Sequence, residues 1–163
     1  MSTPSPANAT TPADRFELPL AIAPDDIDEL GHVNNVEYIR WMQNAAFAHS
    51  KAQGWSSRRY SELGAGWVAR SHRIEYLSPA MPGDTIIVRT WVSTFEKIRS
   101  LRKFRILRQL DQTLLAEAET MWVFIKFQRQ QPCRVPDEVR SAFELVPSEA
   151  EQDALAKLVG EKK

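Results

Sequence analysis

Apolar positions along the chain follow two different periodicities, one typical of a helix and the other of strands. Between residues 34 and 54, apolar side chains recur at steps of three to four residues, which is the spacing of one helix face. The pattern runs through Tyr38, Trp41, Met42, Ala45 and Ala52. Arg40 is the only fully charged residue between positions 39 and 50, so we expect the helix to be buried on several sides.

Both ends of this helix carry sequence signals. Asn34 is a preferred N-cap residue, and Glu37 stands three positions later, so the two form a capping-box pattern. Gly54 lies where the periodicity stops and favours the end of the helix. The sequence therefore predicts one long helix that begins at Asn34 and ends near Gly54.

Segments rich in β-branched and aromatic residues precede and follow the helix. We predict strands over residues 15–24, 67–77, 85–95, 99–110 and 113–127. Residues 56–66 are predicted to be a loop. The last four strands are joined by short connections, which favour antiparallel pairing between consecutive strands. This order predicts an α+β fold in which a curved antiparallel sheet wraps around one long apolar helix.

The two ends of the chain differ in pattern from this central part. Residues 1–13 are small, polar and proline-rich, which is typical of a disordered tail. Residues 14–145 form the predicted folded domain, with a short helix over 135–145 that has Pro136 in its first turn. Residues 146–163 are predicted to form a C-terminal amphipathic helix and tail.

Charge and composition argue against several classes of function. The 163 residues carry 21 lysines and arginines and 21 aspartates and glutamates, so no net charge attracts the chain to nucleic acid or to an anionic membrane. The single cysteine, Cys133, excludes an internal disulfide and a cysteine-rich zinc module. No stretch approaches the roughly 18 apolar residues of a membrane span, and the N-terminus lacks a signal-peptide pattern. We expect a cytoplasmic protein with no nucleic acid or membrane partner.

A polar stretch, DIDELGHVNN at residues 26–35, separates the first strand from the helix. Such residues are common in turns, and Asp26, Glu29 and Asn34 fit that ordinary role as turn, dipole and capping residues. A calcium loop does not fit, because Leu30 stands at the fifth position, where an oxygen ligand is required, and the segment before the loop is strand-like instead of helical. The three histidines show no metal-ligand spacing, so no metal site is predicted.

The same stretch also suits a chemical role. The first amides of a helix that begins at Asn34 point toward whatever precedes it and attract negative charge. Gly31 allows a ligand to approach the backbone, and Asp28 can be held beside those amides. A polarised carbonyl can then be attacked by the Asp28 carboxylate or by a water that it activates. A thioester suits such a site, because a thiol with a pKa of about 8–9 leaves as thiolate with little acid catalysis.

The segment DIDELGHVNNVEYIRW strongly resembles the signature of hotdog-fold acyl-CoA thioesterases of the 4-hydroxybenzoyl-CoA thioesterase class, and in particular the subgroup with D-x-D-x-x-G-H-V-N-N. The similarity continues through GWVARSHRIEYLSPAMPGDTIIVRTWV and LLAEAETMWVFIK, and it covers roughly residues 15 to 144. The resemblance implies a hotdog fold and hydrolysis of an acyl-CoA to free acid and coenzyme A, without a cofactor. It also implies a homodimer or homotetramer with active sites between subunits.

Roles for five residues follow from this resemblance. Asp28 is the expected nucleophile or general base, and the expected carbonyl-positioning residues are Gly31, His32, Asn34 and Asn35. Some members of the family have histidine or tyrosine at the position of Asn35. That departure argues against an aryl-CoA substrate and against a general acid at this position.

Several alternatives stay open at the level of sequence. The acyl group can be carried by acyl carrier protein instead of coenzyme A, or the domain can bind thioesters without hydrolysing them. A dehydratase with this fold would need a histidine and a carboxylate placed across the central helix, and His49 has no acidic residue near it on the helix. The cations available for the coenzyme A phosphates, none assigned individually, are Arg70, Arg99, Arg102, Lys103 and Arg105. The side chains that can limit acyl length are Trp41, Met42, Trp67 and Trp91.

Overall fold

A computed structural model describes residues 15–147 of the protein. In chain order its elements are β1 (Arg15–Ala21), a 3-10 turn (Pro24–Asp26), α1 (Asn35–Ala52), α2 (Ser57–Leu63), β2 (Ala65–Tyr76), β3 (Thr85–Phe95), β4 (Arg99–Arg108), β5 (Leu114–Lys126), β6 (Gln131–Pro132) and α3 (Asp137–Arg140). The long helix and all five predicted strands are therefore confirmed, with ends that differ by a few residues.

The strands form one antiparallel sheet in the order β1-β3-β4-β5-β2, and the short β6 pairs with the end of β5. Two tight connections make β3, β4 and β5 neighbours, as the sequence predicted. The expected pairing of β2 with β3 is wrong, because β2 lies against β5 along its whole length. Consequently β2 and β1 are the two edges of the sheet in the described part of the chain.

The connection between β2 and β3 explains this difference. Residues 77–84 contain Pro79 and Pro82, which lack the amide that a tight hairpin needs. The segment crosses the start of α1 instead of folding back on β2. There the amide of Ala80 donates to the Tyr38 hydroxyl at 3.0 Å, and the Val33 amide donates to the Ala80 carbonyl at 3.4 Å. A connection that is short in residues can thus still carry the chain from one edge of a curved sheet to the strand next to the opposite edge.

The apolar character of α1 has the predicted consequence. Trp41, Met42 and Ala45 are buried and belong to one cluster with the inward side chains of the sheet. On β3 the alternating residues Ile86 and Val88 face this cluster, and both are fully buried. The sheet and α1 therefore share a single core, as expected for an α+β fold that wraps one helix.

The two ends of α1 differ in how closely they match the expected caps. The side chain of Asn34 accepts the Val36 amide at 3.0 Å, so the predicted N-cap is confirmed. The capping box is wrong, because the Asn34 amide donates to the carbonyl of Asp26 at 2.7 Å and the Glu37 carboxylate contacts Arg40. At the other end Gly54 has a φ of +92°, which suits glycine beyond a helix end.

The predicted loop over residues 56–66 is also wrong, because it contains the helix α2. Ser56 caps this helix by accepting the Arg59 amide at 3.2 Å, and Gly64 ends it with a φ of +77°. A serine before the segment and a glycine after it are helix signals. Seven helical residues are too few for a hydrophobic periodicity to become visible, so the sequence was interpreted as a loop.

Near the C-terminal end of the described chain, the predicted short helix is confirmed as α3, preceded by Pro136. The predicted tail at residues 1–13 and most of the C-terminal helix predicted over 146–163 lie outside the described residues. Within residues 15–147, no helix is both long and apolar enough to cross a membrane.

Candidate active site

The polar stretch before α1 folds into a small closed loop. An isolated antiparallel bridge joins Ile27 to Val33 and brings the two ends of the loop together. Inside it the Asp28 amide donates to the His32 carbonyl at 2.8 Å, and the Gly31 amide donates to the Asp28 carbonyl at 3.0 Å. Gly31 has a φ of +78°, a conformation that side chains other than glycine rarely adopt. The loop therefore holds the position of Asp28 through its own backbone.

The carboxylate of Asp28 is oriented by amides of this same loop. Its Oδ1 accepts from the Leu30 amide at 2.9 Å and from the His32 amide at 3.3 Å. That the first amides of α1 also lie beside this carboxylate stays a prediction. No donor among the described residues bonds to Oδ2 of Asp28, so one oxygen of a half-buried carboxylate is left for chemistry.

The first turn of α1 leaves one amide without a partner. The Val36 amide donates to the Asn34 side chain at 3.0 Å, and the Glu37 amide donates to the Asn34 carbonyl at 2.9 Å. The Asn35 amide lies between them and has no acceptor within residues 15–147. A free amide at a helix N-terminus is a donor for an anion or for a polarised carbonyl oxygen.

Aromatic side chains hold this end of α1 in place. The hydroxyl of Tyr76, at the end of β2, donates to the Asn35 carbonyl at 3.2 Å. The ring of Tyr38 packs edge-on against Tyr76 with a centroid distance of 5.0 Å. Tyr38 is buried, and burial raises the pKa of its hydroxyl, so its role is packing. These contacts fix the Asn35 amide relative to the sheet.

The remaining predicted site residues lie on the outside of the loop. His32 and Asn35 are exposed, as is the cap residue Asn34. The structure therefore brings Asp28, Gly31 and His32 together in one hydrogen-bonded loop, with Asn34 and Asn35 directly following it.

A second feature, missed in the sequence, is a cavity of about 220 Å³ near the C-terminal end of α1. It lies among α1, α2 and the inner face of the sheet. Half of its lining residues are aromatic, and their rings include Phe47, Trp55, Tyr60, Trp67, Trp122 and Phe143. Of the four side chains proposed to limit acyl length, only Trp67 lines this cavity, whereas Trp41 and Met42 belong to the core nearer the start of α1.

Arg102 also lines this cavity, although the sequence placed it among the candidate cations for phosphates. It is only 5% exposed and lies on the inner face of β4 between the buried Ser100 and Phe104. Its Nη1 donates to Nδ1 of His49 at 2.9 Å and to Oγ1 of Thr90 at 3.1 Å. The alternating pattern of β4 could have indicated this burial, since every second residue from Ser100 faces the core.

The charge states of this buried pair follow from its geometry. An arginine cannot accept a hydrogen bond, so Nδ1 of His49 must be the acceptor and the ring is neutral. Burial, with the charge of Arg102 as a second cause, lowers the pKa of His49 to about 3. Burial also lowers the pKa of Arg102 to about 10, which leaves the guanidinium charged at neutral pH. His49 is therefore a neutral histidine of the core.

The other candidate cations do not line the cavity, and they differ in exposure. Arg99 contacts Glu96 at 2.7 Å, and Arg105 lies 3.9 Å from Glu117. Arg70 is exposed on β2. Within residues 15–147, no group of three histidine, cysteine, aspartate or glutamate side chains is arranged to hold a metal ion.

The loop and the cavity lie at opposite ends of α1. Asn35 and Ser50, which lines the cavity, are separated by about 22 Å along the helix axis at 1.5 Å per residue. The strand β2 spans the same two features, because Gly66 and Trp67 line the cavity and Tyr76 contacts Asn35. Within one chain, the space between them is filled by the core around Met42.

Comparison with known proteins identifies the family. A model of the thioesterase-like superfamily matches residues 22–143. The chain belongs to this superfamily. Among curated proteins, this thioesterase-like chain is similar to the acyl-acyl carrier protein thioesterase ATL2, chloroplastic, of Arabidopsis thaliana. The two are 26% identical over 129 residues, which cover 78% of this chain and 67% of the relative.

Solved structures show the same architecture. One is Slr0204 of Synechocystis, a 1,4-dihydroxy-2-naphthoyl-CoA thioesterase, with a TM-score of 0.73 and 19% identity over 78% of this chain and 94% of that one. Another is SAV2348 of Staphylococcus aureus, solved in complex with CoA, with a TM-score of 0.74 and 17% identity over 78% and 80%. The expected hotdog fold is therefore confirmed. The narrower subgroup indicated by the D-x-D-x-x-G-H-V-N-N motif stays a prediction.

Proposed function

We propose that this thioesterase-like protein hydrolyses an acyl-CoA to the free acid and coenzyme A. The single observation that carries the proposal is a pair of groups in one rigid segment: the Asp28 carboxylate, with one oxygen free, and the unpartnered amide of Asn35. A carboxylate and a fixed backbone donor are the two groups that acyl transfer to water requires.

In the proposed mechanism the Asn35 amide donates to the thioester carbonyl oxygen and stabilises the charge that develops there. Asp28 takes a proton from a water that attacks the carbonyl carbon, or it attacks that carbon itself to form an acyl-aspartate anhydride, which water hydrolyses to the free acid after coenzyme A has left. Coenzyme A then leaves as thiolate, which needs little protonation near neutral pH. Asn34 holds the first turn of α1, Gly31 shapes the loop, and His32 supplies an amide to the Asp28 carboxylate.

We propose that the working enzyme is a homodimer with its active sites between subunits, or a homotetramer made of two such dimers. The twelve residues of β2 form an edge strand whose outer side pairs with no described strand, and its exposed side chains include Val68 and Tyr76. A long free edge is a template for pairing with a second copy. A two-fold axis would make that pairing antiparallel, since the same edge meets itself.

Antiparallel pairing of two β2 strands has a consequence for the substrate. It sets the Tyr76 end of one copy beside the Ala65 end of the other. Tyr76 at the first end donates to the Asn35 carbonyl, and Gly66 and Trp67 at the second end line the cavity. Asp28 and Asn35 of one subunit would therefore act on an acyl group that enters the cavity of its partner.

The proposed carrier is coenzyme A. On β4 the outward arginines contact acids, as Arg99 does with Glu96 and Arg105 with Glu117, which does not favour docking of an acidic carrier protein. A structural neighbour is described in complex with CoA. The similarity to a plant acyl-acyl carrier protein thioesterase makes the carrier protein the comparison to measure.

The test is release of free thiol from a panel of acyl-CoAs and from the same acyl groups on acyl carrier protein. The proposal predicts turnover with several CoA thioesters and a higher kcat/KM with CoA than with the carrier protein. Absence of turnover with every thioester, in a sample shown to be folded, would contradict the activity. A preference for the carrier protein would overturn the choice of carrier alone.

A further inference from the structure

The cavity near the end of α1 contains a positive charge that no acid of the described chain neutralises. Arg102 is nearly fully buried, and its hydrogen-bond partners are the neutral side chains of His49 and Thr90. No carboxylate within residues 15–147 forms an ion pair with it. A buried charge without a counter-ion is costly, and proteins rarely keep one unless a partner arrives.

Other polar atoms on the cavity wall do not supply that partner. Trp122 lines the cavity, and its indole Nε1 is buried without an acceptor among the described residues. The hydroxyl of Ser100 donates to the Thr94 carbonyl, and the hydroxyl of Tyr60 accepts from Trp67 Nε1. The wall therefore holds two buried donors, at Arg102 and Trp122, and no anion.

The shape of the cavity indicates how a ligand enters. Phe47 of α1 and Phe127, which follows β5, are exposed and lie at its opening, whereas Arg102 is buried. Its volume of about 220 Å³ is below the roughly 300–1,000 Å³ of cavities that hold whole drug-sized ligands. The space fits the end of an extended molecule, with an apolar part against the aromatic walls and a charged tip at the guanidinium.

We propose that this cavity binds the far end of the acyl group and that Arg102 recognises a carboxylate there. The preferred substrates are then half-thioesters of dicarboxylic acids. This inference rests on the proposed thioesterase function and adds the substrate class. The reaction is the hydrolysis of ⁻OOC–R–CO–S–CoA by one water, which breaks the C–S bond and gives the dicarboxylate and coenzyme A thiol; the second carboxylate takes no part in the bond changes.

Selectivity follows from where the desolvation cost falls. Folding has already removed Arg102 from water, so an entering carboxylate gains an ion pair whose cationic half is desolvated beforehand. An uncharged acyl end of the same shape fills the cavity but leaves the guanidinium without an anion. Sites with buried polar groups reject ligands that leave those groups unpaired.

The decisive experiment compares matched substrates with the wild-type, full-length protein. Hexanedioyl-CoA is paired with its isostere, in which an isopropyl group replaces the terminal carboxylate, and kcat/KM is measured for both. Hydrogen bonds to charged groups contribute about 1.5–3 kcal/mol, so the carboxylated substrate is expected to be favoured by about ten-fold or more. Equal or faster hydrolysis of the isostere would overturn the proposal without any variant.

Two variants then test whether Arg102 causes the preference for the carboxylated substrate. Arg102→Met, which removes the charge at similar volume, is expected to lower the ratio of the two kcat/KM values toward one. Arg99→Met is the matched control and is expected to leave this ratio as in the wild type. Arg99 lies on the same strand but is exposed and paired with Glu96. A carboxylate preference that survives Arg102→Met in a folded protein would place recognition elsewhere and overturn the proposal.

A binding measurement separates this inference from the thioesterase activity. Hexanoate and hexanamide are titrated against the protein while tryptophan fluorescence is followed, since three tryptophans line the cavity: Trp55, Trp67 and Trp122. Hexanoate is expected to change the signal at lower concentration than hexanamide, and Arg102→Met to remove the difference. If no thioester is hydrolysed but this difference is found, the site stands and the proposed function fails; no difference overturns the site itself.

Discussion

At its first turn α1 presents a free amide beside an exposed, hydrogen-bonded loop, whereas near its last turns it packs against an aromatic cavity that contains a buried cation. The first region is polar and local: Asp28 and Asn35 are seven positions apart in the chain. The second is apolar and assembled from distant segments, since His49 and Arg102 come from α1 and β4. The group proposed to react and the group proposed to recognise the substrate thus lie at opposite ends of one helix.

This separation shows how one small domain can combine chemistry with substrate selection. A carboxylate that must act on water is useful only while it stays charged and accessible, as in a loop. An arginine that must discriminate between acyl ends is effective where water is excluded. We propose that pairing of two β2 edges brings the start of α1 in one subunit close to the cavity at the end of α1 in the other.

The largest effect is expected at the loop. Asp28→Asn should lower kcat for acyl-CoA hydrolysis by about 10²–10⁴-fold, because asparagine still accepts the Leu30 and His32 amides but provides no charge or base. The measurement is thiol release at saturating substrate. Asp26→Asn is the control. The Asp26 carboxylate accepts the Ala23 amide in the preceding turn, so this variant should retain most of the activity. Full activity of Asp28→Asn would contradict the assigned role.

Acid pH should affect the other end of α1. The pKa of His49 is about 3 when folded and near 6.5 when exposed, so the unfolded chain binds one more proton between these values. This contribution to stability is complete above pH 6.5 and is lost as pH falls toward 3, at about 1.4 kcal/mol per pH unit.

Replacement of His49 isolates its contribution to the pH dependence of stability. His49→Asn keeps an acceptor for Arg102 but does not titrate, so its free energy of unfolding should fall less steeply between pH 6 and pH 4 than that of the wild type. Urea unfolding at a series of pH values gives both slopes. Equal slopes in the two proteins would show that His49 does not bind its proton on unfolding.

Two glycines allow backbone strain to be compared inside and outside the loop. Gly31 and Gly64 have φ of +78° and +77°, and neither has a neighbour within 4 Å of an added Cβ. Alanine at either position should therefore cost about 1–2 kcal/mol of stability from strain alone. Only Gly31→Ala should also lower kcat, because it displaces Asp28. Equal kcat values in the two variants would show that the loop geometry at Gly31 does not affect catalysis.

The smallest effect is expected from the helix caps. Asn34→Ala and Ser56→Ala each remove a side-chain acceptor at a helix start and should each cost about 1 kcal/mol in urea unfolding. Asn34→Ala should also weaken activity, since it frees the Val36 amide and loosens the turn that carries Asn35. An Asn34→Ala enzyme with unchanged kcat/KM would argue against the Asn35 amide as the carbonyl donor.

The sequence predicts features that depend on neighbouring residues. The α1 periodicity, the cap at Asn34, the five strands and the polar stretch around Asp28 all involve contacts within a few positions, and all except the chemistry of Asp28 are confirmed by the fold. The helix α2 was missed, although its signals at Ser56 and Gly64 are equally local. Short helices lack the repeated apolar positions that make a periodicity visible.

Features that depend on contacts across the sheet could not be predicted from the sequence in this way. The pairing of β2 with β5 depends on how residues 77–84 cross the start of α1, which connection length does not reveal. Arg102 looked like one surface cation among five because a basic segment is usually solvated. Its burial follows from the alternation of β4 only when the core face is known, and its partner His49 lies 53 positions away.

Subunit complementation tests the central claim most directly, that the carboxylate of one subunit serves the cavity of the other. Asp28→Asn is co-expressed with Ala46→Phe, a change expected to fill the cavity and to abolish turnover alone. The mixed dimer then has one intact site, and random mixing should restore about a quarter of wild-type thiol release. Activity no greater than the sum of the separate variants, in confirmed mixed dimers, would contradict the shared site.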